Sequence, residues 1–277
     1  MDAKLFTKML SDRNIIDLKK MQYKYSPENV DELIHIFKDT MYKTLPIRDF
    51  KGNNLVYLES MIQVKSNTVK HLLLPQNDGR NYGLKAMEDE IFSTLNIENI
   101  NTSRDSIRSI LNGYVPTNDD ENRIYGMKKG LDFVSNMENK ITEDNIHQLY
   151  KLTVGDFLSE DEKLLPENLY RHDNVYIVGN KIEHEGLPYS KLSKYMREFM
   201  SFINEKSTID NLSKAVIIHF YLAYLHPYFD GNGRMARLMH LWYLVQQGYS
   251  SALYVPLSRY IIMLIQLQSI MLESVGS

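Results

Sequence analysis

The sequence predicts an all-α fold, a helical bundle that carries a single β-hairpin. Three observations carry that prediction. Apolar residues recur at helical spacing along most of the chain, as in Val30, Leu33, Ile34, Ile36 and Phe37, or Leu84, Met87, Ile91 and Leu95. Residues 212–225, LSKAVIIHFYLAYL, hold no charge after Lys214, and a helix that is apolar on every side belongs at the centre of a bundle. Residues 174–184, NVYIVGNKIEH, break the pattern, with β-prone runs Val175–Val178 and Lys181–Glu183 on either side of Gly179-Asn180. A two-residue Gly-Asn connection is a hairpin signal, because glycine supplies the positive φ that such turns need.

Taken in order, the first clear helix spans 29–43, and a loop follows at 75–83. A helix over about 84–100 comes next, then a polar loop at 116–123, PTNDDENR, which marks a boundary. Thr142 reads as an N-cap, and Glu143 and Asp144 in the first turn complement the helix dipole. The hairpin at 174–184 is too small to stand alone and must lean on the helices. The apolar helix stops before Pro227, since a residue preceding proline is pushed out of helical geometry. Residues 233–247 form the next helix, with Gly248 as the residue that ends it. This organisation predicts an N-terminal helical region over 1–110, a core over 111–265 and a tail over 266–277.

Composition excludes several classes. The chain has 277 residues and a net charge of −3, so it lacks the basic footprint of a nucleic-acid binder. It has no cysteine, which removes disulfides, cysteine-ligated zinc and a thiol nucleophile. The N-terminus carries scattered charges rather than the apolar core of a signal peptide, and the most apolar stretch, residues 260–272, is too short for a membrane span and contains two glutamines. The expectation is a cytoplasmic protein with no membrane partner.

Chemistry concentrates directly after the apolar helix. His226 stands where that helix ends, and Asp230-Gly231-Asn232-Gly233 can take the backbone angles that aim successive amides at one anion. The following helix presents its N-terminus to the same place. Arg234 and Arg237 are three residues apart, so both project from one side of the first turn and can clamp phosphate oxygens. Asp230 can hold the Mg2+ that polyphosphates bring. A histidine beside a phosphate cradle is suited to act as a general base. His219, seven residues earlier on about the same helix face, reads instead as a structural core residue, and no zinc set accompanies it.

The ordered run His226-Pro227-Tyr228-Phe229-Asp230-Gly231-Asn232-Gly233-Arg234-Met235-Ala236-Arg237 resembles the signature of the Fic (filamentation induced by cAMP) family. Tyr228 replaces the usual phenylalanine, a packing anchor, a change that is tolerated if its hydroxyl finds a partner. The resemblance implies a Fic-type bundle and AMP transfer from ATP to a Ser, Thr or Tyr hydroxyl of a protein. His226 would deprotonate the hydroxyl and Asp230 would bind Mg2+. Gly231, Asn232, Gly233 and Arg234 would hold the α- and β-phosphates, and Arg237 would meet the γ-phosphate. A branch that phosphorylates instead has lysine where Gly233 stands. The hairpin corresponds to the family's target-docking flap, with Val175, Tyr176, Ile177 and Val178 as the strand that pairs with the target. Thr94-Leu95-Asn96-Ile97-Glu98-Asn99 resembles the inhibitory motif of the class with an N-terminal inhibitory helix. Thr94 and Glu98 share a helix face, and Glu98 paired with Arg237 would block the γ-phosphate clamp. Beyond Tyr260 the sequence departs from the family pattern. Self-modification and a homo-oligomer stay open, as do two other readings: removal of AMP with Glu98 positioning water, and a nucleotide-binding regulator without turnover.

Overall fold

The computed structural model describes residues 1–15, 17–40, 42–58, 79–160, 162–178 and 182–262. The chain divides into two compact units, Met1–Val64 and Lys65–Ser277. In the first, α1 (Ala3–Leu10), α2 (Leu18–Tyr25) and α3 (Pro27–Thr40) precede an antiparallel pair, β1 (Tyr42–Arg48) and β2 (Asn54–Leu58). Asp2 and Asp17 cap α1 and α2 by accepting from the amides of Leu5 and Lys20. Met9, Met21, Val30, Leu33 and Phe37 are buried together as the core of this unit.

This unit corrects two expectations. The helix predicted over 29–43 stops at Thr40, because Tyr42 already pairs with Leu58 across the β1–β2 ladder. Among the described residues there are therefore two hairpins rather than the single one expected. Leu45 and Ile47 are buried at alternate positions of β1 while their neighbours are exposed, a pattern too short to stand out beside the helical periodicity of α3.

The second unit is helical: α4 (Gly79–Ile97), α5 (Arg104–Leu111), α6 (Asp119–Ser135), α7 (Glu143–Thr153), α8 (Tyr189–Asn204), α9 (Asn211–Leu225) and α10 (Asn232–Gln246). A second antiparallel pair, β3 (Tyr176–Val178) and β4 (Ile182–Glu185), lies before α8. The Gly179-Asn180 turn and the 266–277 tail lie outside the described residues. Two predicted loops are helical in part. Gly79–Gly83 open α4, residues 75–78 lying outside the described ones. Residues 116–118 stay outside a helix, but 119–123 begin α6, where Asn118 accepts from the Glu121 amide and Asp119, Asp120 and Glu121 fill the first turn. Three acids there suit the positive end of the helix, which composition alone made look like loop. Thr142 caps α7 as expected, accepting from the Asn145 amide at 3.2 Å.

α9 and α10 pack against each other, and α10 also meets α6. Trp242, fully buried in α10, donates to the Asn139 carbonyl at 2.9 Å and meets Phe133 edge-on. The central position of α9 holds for Ala215, Ile218, Tyr221, Leu222 and Leu225, which are buried, while Val216 and Phe220 are exposed. α4 belongs to this unit, so the helix that carries Thr94 and Glu98 folds with the 226–237 segment rather than with the N-terminal region. Its core contacts come from Ile91 and Leu95, whereas Leu84 is exposed. The acids Glu88, Asp89 and Glu90 are buried and paired. Arg104 reaches Glu88 and Asp89, Arg108 reaches Glu88, and Ser258 donates its amide and hydroxyl to Glu90. These arginines hold the Glu88 carboxyl down to about 2, although burial alone would raise it.

Tyr228 is fully buried and its ring stacks on Tyr150 at 3.8 Å and 7°. Among the described residues nothing hydrogen-bonds to its hydroxyl, so the condition on this replacement is not met. An unsatisfied buried hydroxyl costs about 1–3 kcal/mol. Tyr228→Phe should therefore raise the thermal midpoint by roughly 2–4 °C per kcal/mol recovered, read by calorimetry.

His219 behaves as a core histidine. Burial first, then His240 and Arg237, push its imidazole down to about 4. An unfolded chain binds that proton near its ordinary value, so between the two values the unfolded state holds more protons. The stabilisation is present in full above about pH 6.5 and is lost as pH falls through about 4. Chemical denaturation from about pH 7 to about pH 4 should show that loss, and His219→Gln should flatten the slope.

Candidate functional site

Pro227 forbids α9 from continuing, and the chain leaves the helix through His226 at φ 54 and ψ 59, a left-handed conformation. The His226 amide donates to the Leu222 carbonyl at 3.1 Å, closing the helix end. Nδ1 lies 3.2 Å from the Ala223 carbonyl oxygen. A carbonyl only accepts, so in the neutral ring Nδ1 carries the hydrogen and Nε2 carries the lone pair. The ring is thus fixed in the tautomer that a general base needs.

Gly231 follows at φ 80, and a Cβ there would stand 2.5 Å from Val154 Cγ2, so both backbone angle and space require glycine. Asn232 is buried and its side chain staples the loop: Oδ1 accepts from the Tyr228 amide and Nδ2 donates to the Tyr228 carbonyl, each at 2.9 Å. Its contribution to an anion is therefore its backbone amide. No side chain caps the N-terminus of α10, which leaves its first-turn amides as an anion seat.

Asp230 and Arg234 pair with each other at 2.6 Å, the acid half-exposed and the arginine buried. Among the described residues no group of three or more His, Asp or Glu forms a protein-only metal site. A single accessible carboxylate beside a phosphate seat nonetheless suits Mg2+, which is held through one or two carboxylates plus substrate phosphates.

Arg237 is drawn to α4. Its Nε donates to Thr94 Oγ1 at 2.7 Å, and its Nη2 donates to Glu98 Oε1 at 2.6 Å. Glu98 is held there by the helix end. The Ile100 amide bonds the Leu95 carbonyl, the Asn99 amide bonds the Asn96 carbonyl, and Asn99 sits at φ 57. This is a Schellman motif, and it explains why the residue after Glu98 is Asn, a side chain that tolerates the left-handed region. The Glu98 carboxylate also reaches Gly233, where an added Cβ would come within 2.5 Å of Oε1.

The hairpin forms upstream, with Tyr176 opposite Glu185 and Ile177 opposite His184. Val175 precedes β3, and its carbonyl accepts from the Gly186 amide at 3.0 Å. Tyr176 is exposed. Thus His226, Asp230, Gly231, Asn232, Gly233, Arg234 and Arg237 lie on one turn and helix start, and Thr94 and Glu98 meet that helix through Arg237. Sequence reasoning missed Arg171, a buried arginine that donates from Nε to the His226 carbonyl at 2.8 Å, and Glu90 with Ser258. A loop arginine outside any motif carries no local signal, and an acid in a helix looks solvated.

Known proteins agree with this geometry. Residues 140–244 match the model of the Fic/DOC family. Proteins called protein adenylyltransferase Fic are similar: that of Drosophila ananassae is 26% identical over 60% of this chain and 33% of its own length, and that of Aedes aegypti 27% over 61% and 35%. The chain thus spans about a third of the length of these curated relatives. Among solved structures, a Fic domain containing signaling protein from Bacteroides thetaiotaomicron has a TM-score of 0.56 at 18% identity, covering 66% of this chain and 71% of that one. A Fic family protein from Desulfovibrio desulfuricans has a TM-score of 0.54 at 20% identity, covering 73% and 58%. The run from His226 to Arg237 lies within the segment that matches the Fic/DOC family, and the helical bundle is similar to that of solved Fic-family structures.

Proposed function

We propose that the chain transfers AMP from ATP to a hydroxyl side chain of a protein, and that Glu98 restrains the reaction. The observation that carries this reading is the juxtaposition of His226, its base nitrogen defined by the Nδ1 contact to Ala223, with the uncapped start of α10. The similarity to proteins named adenylyltransferase supports the choice of nucleotidyl transfer.

In this mechanism the phosphates of ATP lie over the amides of Gly231, Asn232 and Gly233, with Arg234 beside the α- and β-phosphates. The target hydroxyl gives its proton to His226 Nε2, and its oxygen attacks the α-phosphorus. The bond from that phosphorus to the bridging oxygen breaks, and pyrophosphate leaves. Arg234 and the backbone amides offset the charge that builds on the phosphoryl oxygens. Asp230 would hold Mg2+, which when bound neutralises phosphate charge. An extended target segment pairing with β3 would bring the hydroxyl to His226.

Restraint follows from competition for one cation. Arg237 would grip the γ-phosphate, but its donors are taken by Thr94 and Glu98. Glu98 also brings a negative charge over the seat that the phosphates need.

With ATP radiolabelled at the α-phosphate, Glu98→Gly should raise labelling of the protein or of added acceptor proteins at least about tenfold, the effect of some 1.4 kcal/mol. His226→Ala in that background should lower it by about 10²–10⁴. A Glu98→Gly protein that transfers no label would overturn the reading, and release of AMP from a modified acceptor would redirect it to the reverse reaction. Thr94→Val leaves the carboxylate in place but removes one acceptor from Arg237. It should give a smaller rise, about two- to tenfold, as expected for one hydrogen bond.

A further inference from the structure

Arg171 is 2% exposed, and burial lowers its pKa. Buried arginines are normally paired with carboxylates. Among the described residues Arg171 forms no ion pair, and its side-chain donors go to backbone carbonyls. Nε donates to His226 at 2.8 Å, Nη1 to Asp173 at 2.5 Å and Nη2 to Leu187. Its own amide donates to the Pro227 carbonyl at 2.9 Å.

These acceptors have a pattern. His226 and Pro227 are the left-handed turn that bears the base. Asp173 and Leu187 flank the β3–β4 hairpin on its two sides. The Leu187 amide in turn donates to the Leu225 carbonyl at 3.2 Å. Gly186 lies in the same knot: a Cβ there would stand 2.8 Å from Arg171 Nη2, 2.8 Å from Val175 Cγ2 and 3.3 Å from His226 Cβ. The guanidinium is thus the strut between the foot of the hairpin and the backbone of His226.

We propose that Arg171 is a positioning residue for the transfer reaction: it locks His226 in its left-handed turn and sets the hairpin foot in register with the imidazole. The inference rests on the reading of His226 as base and of the hairpin as the acceptor's docking strand. A histidine in the left-handed region is strained and needs its surroundings to over-determine it. The planar fork meets three carbonyls at fixed angles, which an ammonium cannot do. If the His226 carbonyl loses its donor, φ and ψ relax, and the Nδ1–Ala223 contact that fixes the tautomer goes with them. ATP, seated on α10, should be indifferent.

The test compares Arg171→Lys with the parent, both carrying Glu98→Gly. ATP affinity should stay within about twofold, while the turnover number for AMP transfer falls about 100-fold, the scale of a 1 Å misplacement. Nitrogen NMR of the His226 imidazole should show the Nδ1–H tautomer in the parent and a mixture in Arg171→Lys. Gly186→Ala, which presses on the guanidinium without altering its charge, should give the same pattern and serves if Arg171→Lys does not fold. Unchanged turnover with an unchanged tautomer in the folded variant would overturn the inference. A parent that transfers nothing yet shows the single tautomer would instead count against the proposed function, and a mixed tautomer in the variant would still support the positioning of His226.

Discussion

His226 leaves a buried helix through a left-handed turn, a backbone state that costs a residue with a Cβ about 1 kcal/mol or more. Everything around it is arranged to make that state the only one available. Pro227 blocks continuation of α9, the Leu222 carbonyl takes the His226 amide, and Arg171 holds the carbonyls of His226 and Pro227. The turn then delivers the chain to Gly231 and to the open N-terminus of α10 within five residues, so the base and the anion seat are fixed by one short stretch of backbone. Asn232 closes this stretch by returning its side chain to both backbone groups of Tyr228. The strain is local, and the packing of α9 against α10 supports it.

The contact between α4 and α10 has the energetic character of a switch. Glu98 stands at the C-terminal end of its helix, where the dipole disfavours an anion, and needs a cation there. Arg237 supplies it, yet a largely desolvated ion pair is close to neutral in net free energy, since removing both charges from water offsets their attraction. The pair therefore contributes little to holding α4 in place. That task falls to Ile91 and Leu95 in the core, to Glu88 and Asp89 with Arg104 and Arg108, and to Glu90 with Ser258. A helix anchored along its length by other contacts can give up its last carboxylate without melting. Under the proposed reading, restraint at Arg237 would then be adjustable separately from the stability of the unit.

How far the sequence could be read depends on where each signal resides. The run from His226 to Arg237 was legible because its function needs a fixed order of residue types on one turn, and Thr94 with Glu98 because helical spacing places them on one face. The apolar stripe of α9 and the Thr142 cap were legible from local pattern. What escaped depends on partners distant in sequence. Glu88, Asp89 and Glu90 look solvated until arginines 15–20 residues on and a serine 168 residues on are folded against them. Arg171 acts on a carbonyl 55 residues away. The start of α6 was hidden by its own capping acids, and β1 by having only Leu45 and Ile47 buried in alternation, directly after the helical periodicity of α3. Tyr228 reads from sequence as a packing anchor, and its ring is one, while among the described residues its hydroxyl has no partner, which only the folded surroundings reveal.

The Asp230–Arg234 pair completes the logic of the site. The two are one helical turn apart, with the arginine buried and the acid half-exposed and so accessible to solvent. Under the proposed reading, that contact must be exchanged when nucleotide arrives, the acid turning to a cation and the arginine to phosphate. Such an exchange keeps the buried guanidinium compensated, because a phosphate takes the place of the carboxylate as its counter-charge. Before binding, it neutralises a buried guanidinium that would otherwise lack a counter-charge. After binding, both groups find stronger partners of opposite sign. The resting contacts at Arg234 and Arg237 thus have one form: each arginine is held by a carboxylate that, under the proposed reading, a polyphosphate would replace, one local to the loop and one directly after α4.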